Sequence, residues 1–223
     1  NARIQYPKGI VVNPSLSIKN IKYLPNDETC YLSGPDYIIL RKPFIQANRN
    51  YINSEVKEII ITLGGTNSYN LAVIILDQFC KIYPDIKFNV VIGNKPPNIH
   101  EMKNLLSKNV NLFENVASEE MKQIMLKSDF SVVAAGQTIY ELIATQTPFI
   151  PIKTAENQKN NIDGLLEFDL IEDFISLKEQ LFMEKLKIEF EKLMNFDIRN
   201  ELANKYNKII DGFGSKRIID VLI

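Results

Sequence analysis

Short apolar runs alternate with amphipathic stretches along most of this 223-residue chain. Apolar, β-branched runs bounded by turn residues are typical of strands, and they occur at 9–13, 59–63, 86–92, 110–113, 130–135 and 149–152. Apolar positions at helical spacing predict helices at 71–79, 98–106, 118–126 with Ser118 as N-cap, 139–143, 161–168, 177–194, 198–210 and 214–222. This alternation predicts an α/β fold, a doubly wound parallel sheet of five or six strands with C-terminal helices over one face or end.

The segment before residue 53 lacks the regular alternation. Residues 30–41 contain a Gly-Pro turn followed by apolar residues, which indicates a linker that packs against another element. Residues 46–54 contain three asparagines and few apolar residues, as is typical of a domain boundary or an exposed loop. We therefore predict the remnant of a preceding domain and a linker in 1–52, and a Rossmann-like domain in 53–223. Because no Met begins the chain, we expect a fragment of a longer protein.

Four loops follow predicted strands, at 64–67, 93–95, 136–141 and 154–158. In a parallel sheet all four lie along the carboxyl edge, where loops and helix N-termini converge on ligands. The sequence therefore predicts a binding site there.

The first of these loops is Gly64, Gly65, Thr66 and Asn67, between a strand and a helix. Glycines there let a ligand approach the backbone, and the following N–H groups suit an anion such as a diphosphate. The alternative is a tight turn that needs positive φ. The loop matches neither the Rossmann glycine fingerprint nor a P-loop, so ATP and NAD are poorly supported.

The turn from Gly136 to Glu141 is the second candidate for binding an anion. Thr138 and Glu141 fit a capping box, in which their side chains only satisfy free N–H groups of the helix. Alternatively, the Glu141 carboxylate accepts two vicinal ribose hydroxyls, and the two glycine turns together form a cleft for a nucleotide diphosphate.

The loop 154–158 ends in the amide pair Asn157 and Gln158. Such amides can bind sugar hydroxyls or orient a water molecule. The alternative is that Asn157 is a helix N-cap.

Composition excludes several classes of partner. Lys plus Arg number 26 and Asp plus Glu 27, so no global field attracts nucleic acid or an anionic membrane. No apolar run approaches the roughly 20 residues of a membrane span, and no signal peptide is visible, so we expect no stable membrane insertion and a cytoplasmic location. Cys30 and Cys80 are expected to be free thiols. His100 is the only histidine, which argues against multi-histidine metal sites; we expect no metal and no cofactor.

Several segments together resemble a known family. They are 63–67 with Asn70 and Leu71, 112–116, 129–144 and 153–158. They look like the C-terminal domain of UDP-sugar hydrolases of the pseudaminic acid pathway, which is similar in turn to the C-terminal halves of MurG-type GT-B glycosyltransferases. Residues 32–41 resemble the Gly-Pro-x-Tyr-x-x-Leu-Arg segment that joins the family's two domains, and 211–217 resemble the start of its last helix.

The resemblance implies that this chain binds the UDP of a UDP-sugar. It implies a diphosphate near Gly64, Gly65, Thr66 and Asn67 and uracil near the backbone of Glu114 to Val116. It implies phosphate near Gln137 and Thr138, in the turn that begins at the candidate Gly136, and ribose at Glu141. The reacting sugar would lie at Asn157, the catalytic candidate, beside Gln158.

The resemblance also implies an activity for the whole enzyme: water attacks the anomeric carbon of a UDP-linked 2,4-diacetamido-2,4,6-trideoxy sugar and UDP leaves, for pseudaminic acid biosynthesis. The family's catalytic histidine lies in an N-terminal domain, and His100 does not match it by motif. We therefore expect this chain alone to bind nucleotide without turnover. The alternatives are a MurG-like glycosyltransferase and a non-catalytic module that binds nucleotide sugars.

Overall fold

The computed structural model describes residues 4–19, 22–24, 26–64, 68–93 and 108–223. Two strands precede the main sheet, β1 (Gly9–Asn13) and β2 (Thr29–Ser33), and they pair in parallel. The strand predicted at 9–13 is confirmed. The expectation of a linker from residue 30 is wrong for residues 30–33, which belong to β2, because so short an apolar run looks the same in a strand and in a packed linker.

The main sheet has six parallel strands in the order β5-β4-β3-β6-β7-β8, and it confirms the predicted doubly wound fold. Its strands are β3 (Glu58–Thr62), β4 (Lys87–Ile92), β5 (Val110–Glu114), β6 (Phe130–Ala134), β7 (Phe149–Lys153) and β8 (Ile175–Ser176). The edge strand β8 is absent from the sequence prediction, since two residues carry no periodicity.

The helices follow the prediction with three corrections. They are α1 (Ser68–Phe79), α2 (Ser118–Lys127), α3 (Thr138–Ala144), α4 (Lys159–Glu167), α5 (Phe182–Met194), α6 (Phe196–Tyr206) and α7 (Gly214–Leu222). Ser118 is the first residue of α2 and not its cap, which is Ala117. The helix α5 starts later than residue 177, because β8 and a turn precede it. Asn195 caps α6 through the backbone N–H groups of Asp197 and Ile198, so α6 starts before residue 198. The helix predicted at 98–106 lies outside the described residues.

Both faces of the sheet are covered by helices. Along β3, Ile59 and Ile61 belong to one apolar cluster and Ile60 to the other, because successive side chains of a strand point to opposite faces. The first cluster takes in α1 and α5, and the second takes in α2, α3 and α4. The second cluster also includes Ile38 and Leu40 of the predicted linker. This part of the linker therefore packs into the core, as predicted.

Two glycines allow the chain before β3 to lie close to the helices. A Cβ on Gly164 of α4 would lie 2.4 Å from the Leu16 Cβ, and one on Gly214 of α7 would lie 2.2 Å from the Ile38 carbonyl oxygen. Glu167 at the end of α4 adds a hydrogen bond from Ser17 Oγ at 2.9 Å. The contact of Gly214 with Ile38 holds the start of segment 38–41 against α7, and the other contacts hold residues 16–17 against α4.

Candidate functional site

The strand order of the main sheet reverses between β3 and β6. These two strands are direct neighbours, with Thr62 opposite Val133. Ligands of doubly wound sheets bind at such a switch point, beyond the carboxyl ends of the strands. The turns that begin at Gly64 and Gly136 follow these strands, so the prediction that they share one edge is confirmed. Gly65, Thr66 and Asn67 lie outside the described residues, as does the part of the loop at 94–95.

The glycines of this edge face open space. A Cβ built on Gly64, Gly93 or Gly136 would meet no atom of the described residues within 4 Å. Gly64 has φ of +54°, so the tight-turn explanation holds for its conformation. Gly136 has no positive φ and no close neighbour, so neither backbone conformation nor packing requires a glycine there. This edge leaves room for a ligand to approach the backbone.

A pocket of about 400 Å³ lies at the ends of β3, β4 and β5, and we call it the strand pocket. It joins Gly64, predicted near the diphosphate, to Val116, predicted near uracil. Its lining also includes Arg41, Thr62, Gly93, Asn115 and Met121. Glu114 ends β5 just before this lining, and its side chain is partly buried.

A second pocket, of about 450 Å³, lies at the start of α3, and we call it the helix pocket. It brings together Gln137, Thr138 and Glu141, the three predicted residues of this turn that carry side chains. Ile39, Leu40, Arg41 and Tyr140 complete its lining. Arg41 is therefore common to the linings of the two pockets.

Arg41 forms a bidentate ion pair with Glu141. Its Nε donates to Glu141 Oε1 at 2.6 Å and its Nη2 donates to Oε2 at 2.8 Å. This hydrogen-bonded pairing raises the pKa of Arg41. The capping-box interpretation of Thr138 and Glu141 is wrong: Gln137 is the N-cap residue, with no side-chain capping bond, and the Glu141 carboxylate is bound to Arg41. Sequence reasoning did not place Arg41 in the site, although the arginine ends the linker segment used for the resemblance.

Tyr140 is a second residue that the sequence did not single out. Its hydroxyl donates to Asn161 Oδ1 at 2.7 Å, and Asn161 Nδ2 donates to the Ala135 carbonyl oxygen at 2.8 Å. Burial raises the pKa of Tyr140, so the phenol stays protonated at neutral pH. The chain of bonds ties α3 and α4 to the end of β6, and it fixes the backbone that leads into Gly136.

The loop after β7 is held by one of its two predicted amides. Gln158 Oε1 accepts from the Thr154 N–H at 2.8 Å, and Gln158 Nε2 donates to Thr154 Oγ1 at 3.0 Å. Asn157 is exposed, and within the described residues its side chain makes no hydrogen bond. The N-cap of α4 is Gln158, so the interpretation of Asn157 as that cap is wrong. Asn157, Gln158 and Gly136 are outside the linings of both pockets.

Neither a metal cluster nor a membrane span is seen in the described part of the chain. No three His, Cys, Asp or Glu side chains are grouped there as metal ligands. None of its helices combines the length and the apolar character needed to cross a bilayer.

Three proteins match the chain in sequence. An uncharacterized protein of Methanocaldococcus jannaschii is 30% identical over 94% of this chain and 46% of its own length. The spore coat polysaccharide biosynthesis protein SpsG of Bacillus subtilis is 24% identical over 98% of this chain and 65% of its own length. A pseudaminic acid cytidylyltransferase and UDP-2,4-diacetamido-2,4,6-trideoxy-β-L-altropyranose hydrolase of Helicobacter pylori is 30% identical over 69% of this chain and 28% of its own length.

The chain is a relative of sugar-nucleotide and polysaccharide biosynthesis proteins. It spans between about a quarter and two thirds of the length of these relatives. No protein-family model matches it.

Solved structures share its fold at low sequence identity. The glycosyltransferase of kitacinnamycin has a TM-score of 0.66 at 16% identity, over 96% of this chain and 53% of that one. MurG of Acinetobacter baumannii has a TM-score of 0.63 at 14% identity, over 95% and 59%. UDP-GlcNAc 2-epimerase of Neisseria meningitidis, bound to UDP-GlcNAc, has a TM-score of 0.57 at 20% identity, over 77% and 46%. The chain therefore has the Rossmann-like fold found in GT-B glycosyltransferases and epimerases.

Proposed function

We propose that this chain is the nucleotide-binding half of a UDP-sugar hydrolase, which releases UDP and a 2,4-diacetamido-2,4,6-trideoxy sugar for nonulosonic acid and surface polysaccharide biosynthesis. The observation that carries the proposal is the pair of adjoining pockets at the switch point of the sheet, which line up residues suited to the three parts of a nucleotide. The Helicobacter pylori relative, named for this hydrolysis, supports the choice of reaction.

In this proposal the strand pocket takes the base and the first part of the diphosphate. Uracil lies near the backbone of Val116, and the diphosphate starts at Gly64 in the strand pocket. From there it extends out of the pocket toward Gly136 at the end of the neighbouring strand β6, where the bare backbone allows close approach. The ribose hydroxyls bind the Glu141 carboxylate, which is fixed on α3 in the helix pocket. Fixed N–H donors around the diphosphate would stabilise the negative charge that develops on leaving UDP.

The reacting sugar is proposed to lie near Asn157. Its amide is exposed at the same edge of the sheet, on a loop that Gln158 holds in shape. An amide there is suited to orienting a sugar hydroxyl or the attacking water, and the reaction also needs a general base. We propose that the base comes from a part of the full protein outside this chain, as the family resemblance implies.

A MurG-like glycosyltransferase is the second candidate. It is favoured by the likeness of the fold to MurG and to the kitacinnamycin glycosyltransferase. The two reactions use the same UDP site and differ in whether water or an acceptor attacks the anomeric carbon.

Incubation of the complete gene product with UDP-sugars tests the proposal. Release of UDP and free sugar without any acceptor is the expected result. Release of UDP only when an acceptor is added would support the transferase, and no release under either condition would overturn both. Asn157→Ala in the complete protein should lower turnover while it leaves UDP affinity unchanged.

A further inference from the structure

The ion pair between Arg41 and Glu141 occupies the group proposed to bind ribose. Both carboxylate oxygens of Glu141 accept from the arginine fork, through its Nε and Nη2. The remaining nitrogen, Nη1, has no hydrogen-bond partner among the described residues. The Arg41 side chain is 51% exposed and that of Glu141 is 11% exposed, so the arginine has space to turn into solvent and the carboxylate has little. The guanidinium also lies over the Phe44 ring, 5.2 Å from its centroid.

The position of Arg41 gives it a second possible partner. It lines the helix pocket with Glu141, and it lines the strand pocket with Gly64 and Gly93. Among the described lining residues of the strand pocket, Arg41 is the only one that carries a charge. A guanidinium is well suited to a diphosphate, because its planar fork donates two parallel hydrogen bonds to phosphate oxygens.

We propose that Arg41 exchanges partners when a nucleoside diphosphate binds, an inference that rests on the proposed function. The vicinal hydroxyls of the ribose replace the guanidinium on Glu141, and the guanidinium turns to the diphosphate. No covalent bond changes in this exchange. Without ligand, the arginine and the carboxylate neutralise each other.

The exchange is favourable only for a ligand that carries both groups. A half-exposed ion pair contributes little net stability, so separating Arg41 from Glu141 is cheap when each finds a new partner. A nucleoside supplies the hydroxyls and no phosphate, so it must compete with Arg41 for the carboxylate and leaves the guanidinium unpaired. Arg41 therefore selects nucleoside diphosphates against nucleosides.

A fixed pair would behave differently. If Arg41 stayed on Glu141 and only oriented the carboxylate for ribose, its removal would weaken every ligand that contains ribose. The sign of the effect on a nucleoside therefore separates partner exchange from simple positioning.

The test compares UDP and uridine on this chain and on Arg41→Gln, with UDP measured by calorimetry and uridine by ligand-observed NMR. We expect Arg41→Gln to lower UDP affinity about tenfold or more, since a charged hydrogen bond to phosphate is lost. Uridine affinity should stay equal or rise, because its competitor is gone. Arg41→Lys keeps the charge and loses the fork, so its loss for UDP should be smaller than that of the Gln variant.

Arg217→Gln is the matched control, because Arg217 forms an exposed bidentate pair with Asp211 away from both pockets. It should leave both affinities unchanged. The inference is overturned if Arg41→Gln weakens uridine as much as UDP, if it weakens neither, or if uridine binds neither protein detectably. Failure of the unmodified chain to bind UDP would instead refute the proposed function itself.

Discussion

The two edges of the main sheet use arginine in opposite ways. At the amino edge, Arg49 is partly buried, and its Nη2 donates to the Met125 and Ser128 carbonyl oxygens and to Thr147 Oγ1, at 2.7 to 3.0 Å. Burial lowers the pKa of Arg49 to about 10, which leaves it protonated at neutral pH. At the carboxyl edge, Arg41 is exposed and pairs with a single carboxylate.

The same contrast extends to the neighbouring polar groups. Asp129 at the amino edge accepts from Asn53 Nδ2 and from the backbone N–H groups of Lys57 and Glu58, at 2.6 to 2.9 Å. At the carboxyl edge Asn157 is exposed and the glycines face open space. Polar groups at the amino edge are thus committed to hydrogen bonds within the fold, whereas at the carboxyl edge Asn157 is exposed and Glu141 is paired only with the half-exposed Arg41. This difference supports the carboxyl edge as the place of the proposed site.

The contrast between the two edges predicts its largest effect for Arg199 at the amino edge, where a substitution should reduce folding stability. This fully buried side chain donates to the carbonyl oxygens of Leu193, Met194, Asn53 and Ser54. Arg199→Met should lower the free energy of unfolding by about 3 kcal/mol or more, because it removes the donor from four carbonyl acceptors, one in a buried and three in partly buried hydrogen bonds. Urea denaturation measures the loss, with the exposed Arg217→Met as control. A loss of UDP affinity in the folded variant, or a negligible loss of stability, would contradict the claim that the amino edge serves folding and the carboxyl edge serves binding.

A substitution of Glu141 at the carboxyl edge should have the opposite result, a loss of UDP affinity with little change in stability. Glu141→Ala should weaken UDP binding by about 1 to 3 kcal/mol, the cost of a lost charged hydrogen bond. Stability should change little, since the partner Arg41 is exposed and can turn to water. Calorimetry checks the affinity, with Glu119→Ala on α2, an exposed glutamate that lines neither pocket, as control. Equal UDP affinity in the mutant would reduce Glu141 to a structural partner of Arg41.

The smallest effects are expected when alanine replaces a glycine, and they compare Gly164, which is packed against other atoms, with Gly136, which is not. Gly164→Ala should lower the free energy of unfolding by about 2 kcal/mol, because its Cβ would lie 2.4 Å from the Leu16 Cβ and 2.6 Å from the Ser17 backbone nitrogen, so the backbone must shift. Such overpacking costs up to about 3 kcal/mol, and the gain in helix propensity returns about 1 kcal/mol. Gly136→Ala should change the melting temperature little, since its Cβ meets open space, and should weaken UDP binding. A large stability loss in Gly136→Ala would assign this glycine to the fold.

The sequence predicts the sheet well because its strands are locally encoded. The β-branched run 59–63 and the apolar run 130–135 each identify a buried strand, and the glycines that follow them mark the carboxyl edge of the sheet without any structure. The pairing of Arg41 with Glu141 could not be predicted in this way, since the two residues are 100 positions apart. Local pattern instead favoured a capping box at Thr138 and Glu141, because the spacing of that motif is short and the competing partner comes from a different segment.

Which residues line the strand pocket also depends on the tertiary structure. Residues 64 and 116 are brought together only by the order in which β3, β4 and β5 pair. The two-residue strand β8 and the docking of Leu16 on Gly164 also depend on contacts distant in sequence. Sequence pattern therefore identified the edge, and the tertiary structure identified which of its side chains meet.

The most direct test of the central claim is a calorimetric titration of this chain with UDP, with the Glu141→Ala variant titrated in parallel. We predict saturable heat for the unmodified chain and weaker binding for the variant. A flat titration of the unmodified chain would contradict the claim that the carboxyl edge is a nucleotide site.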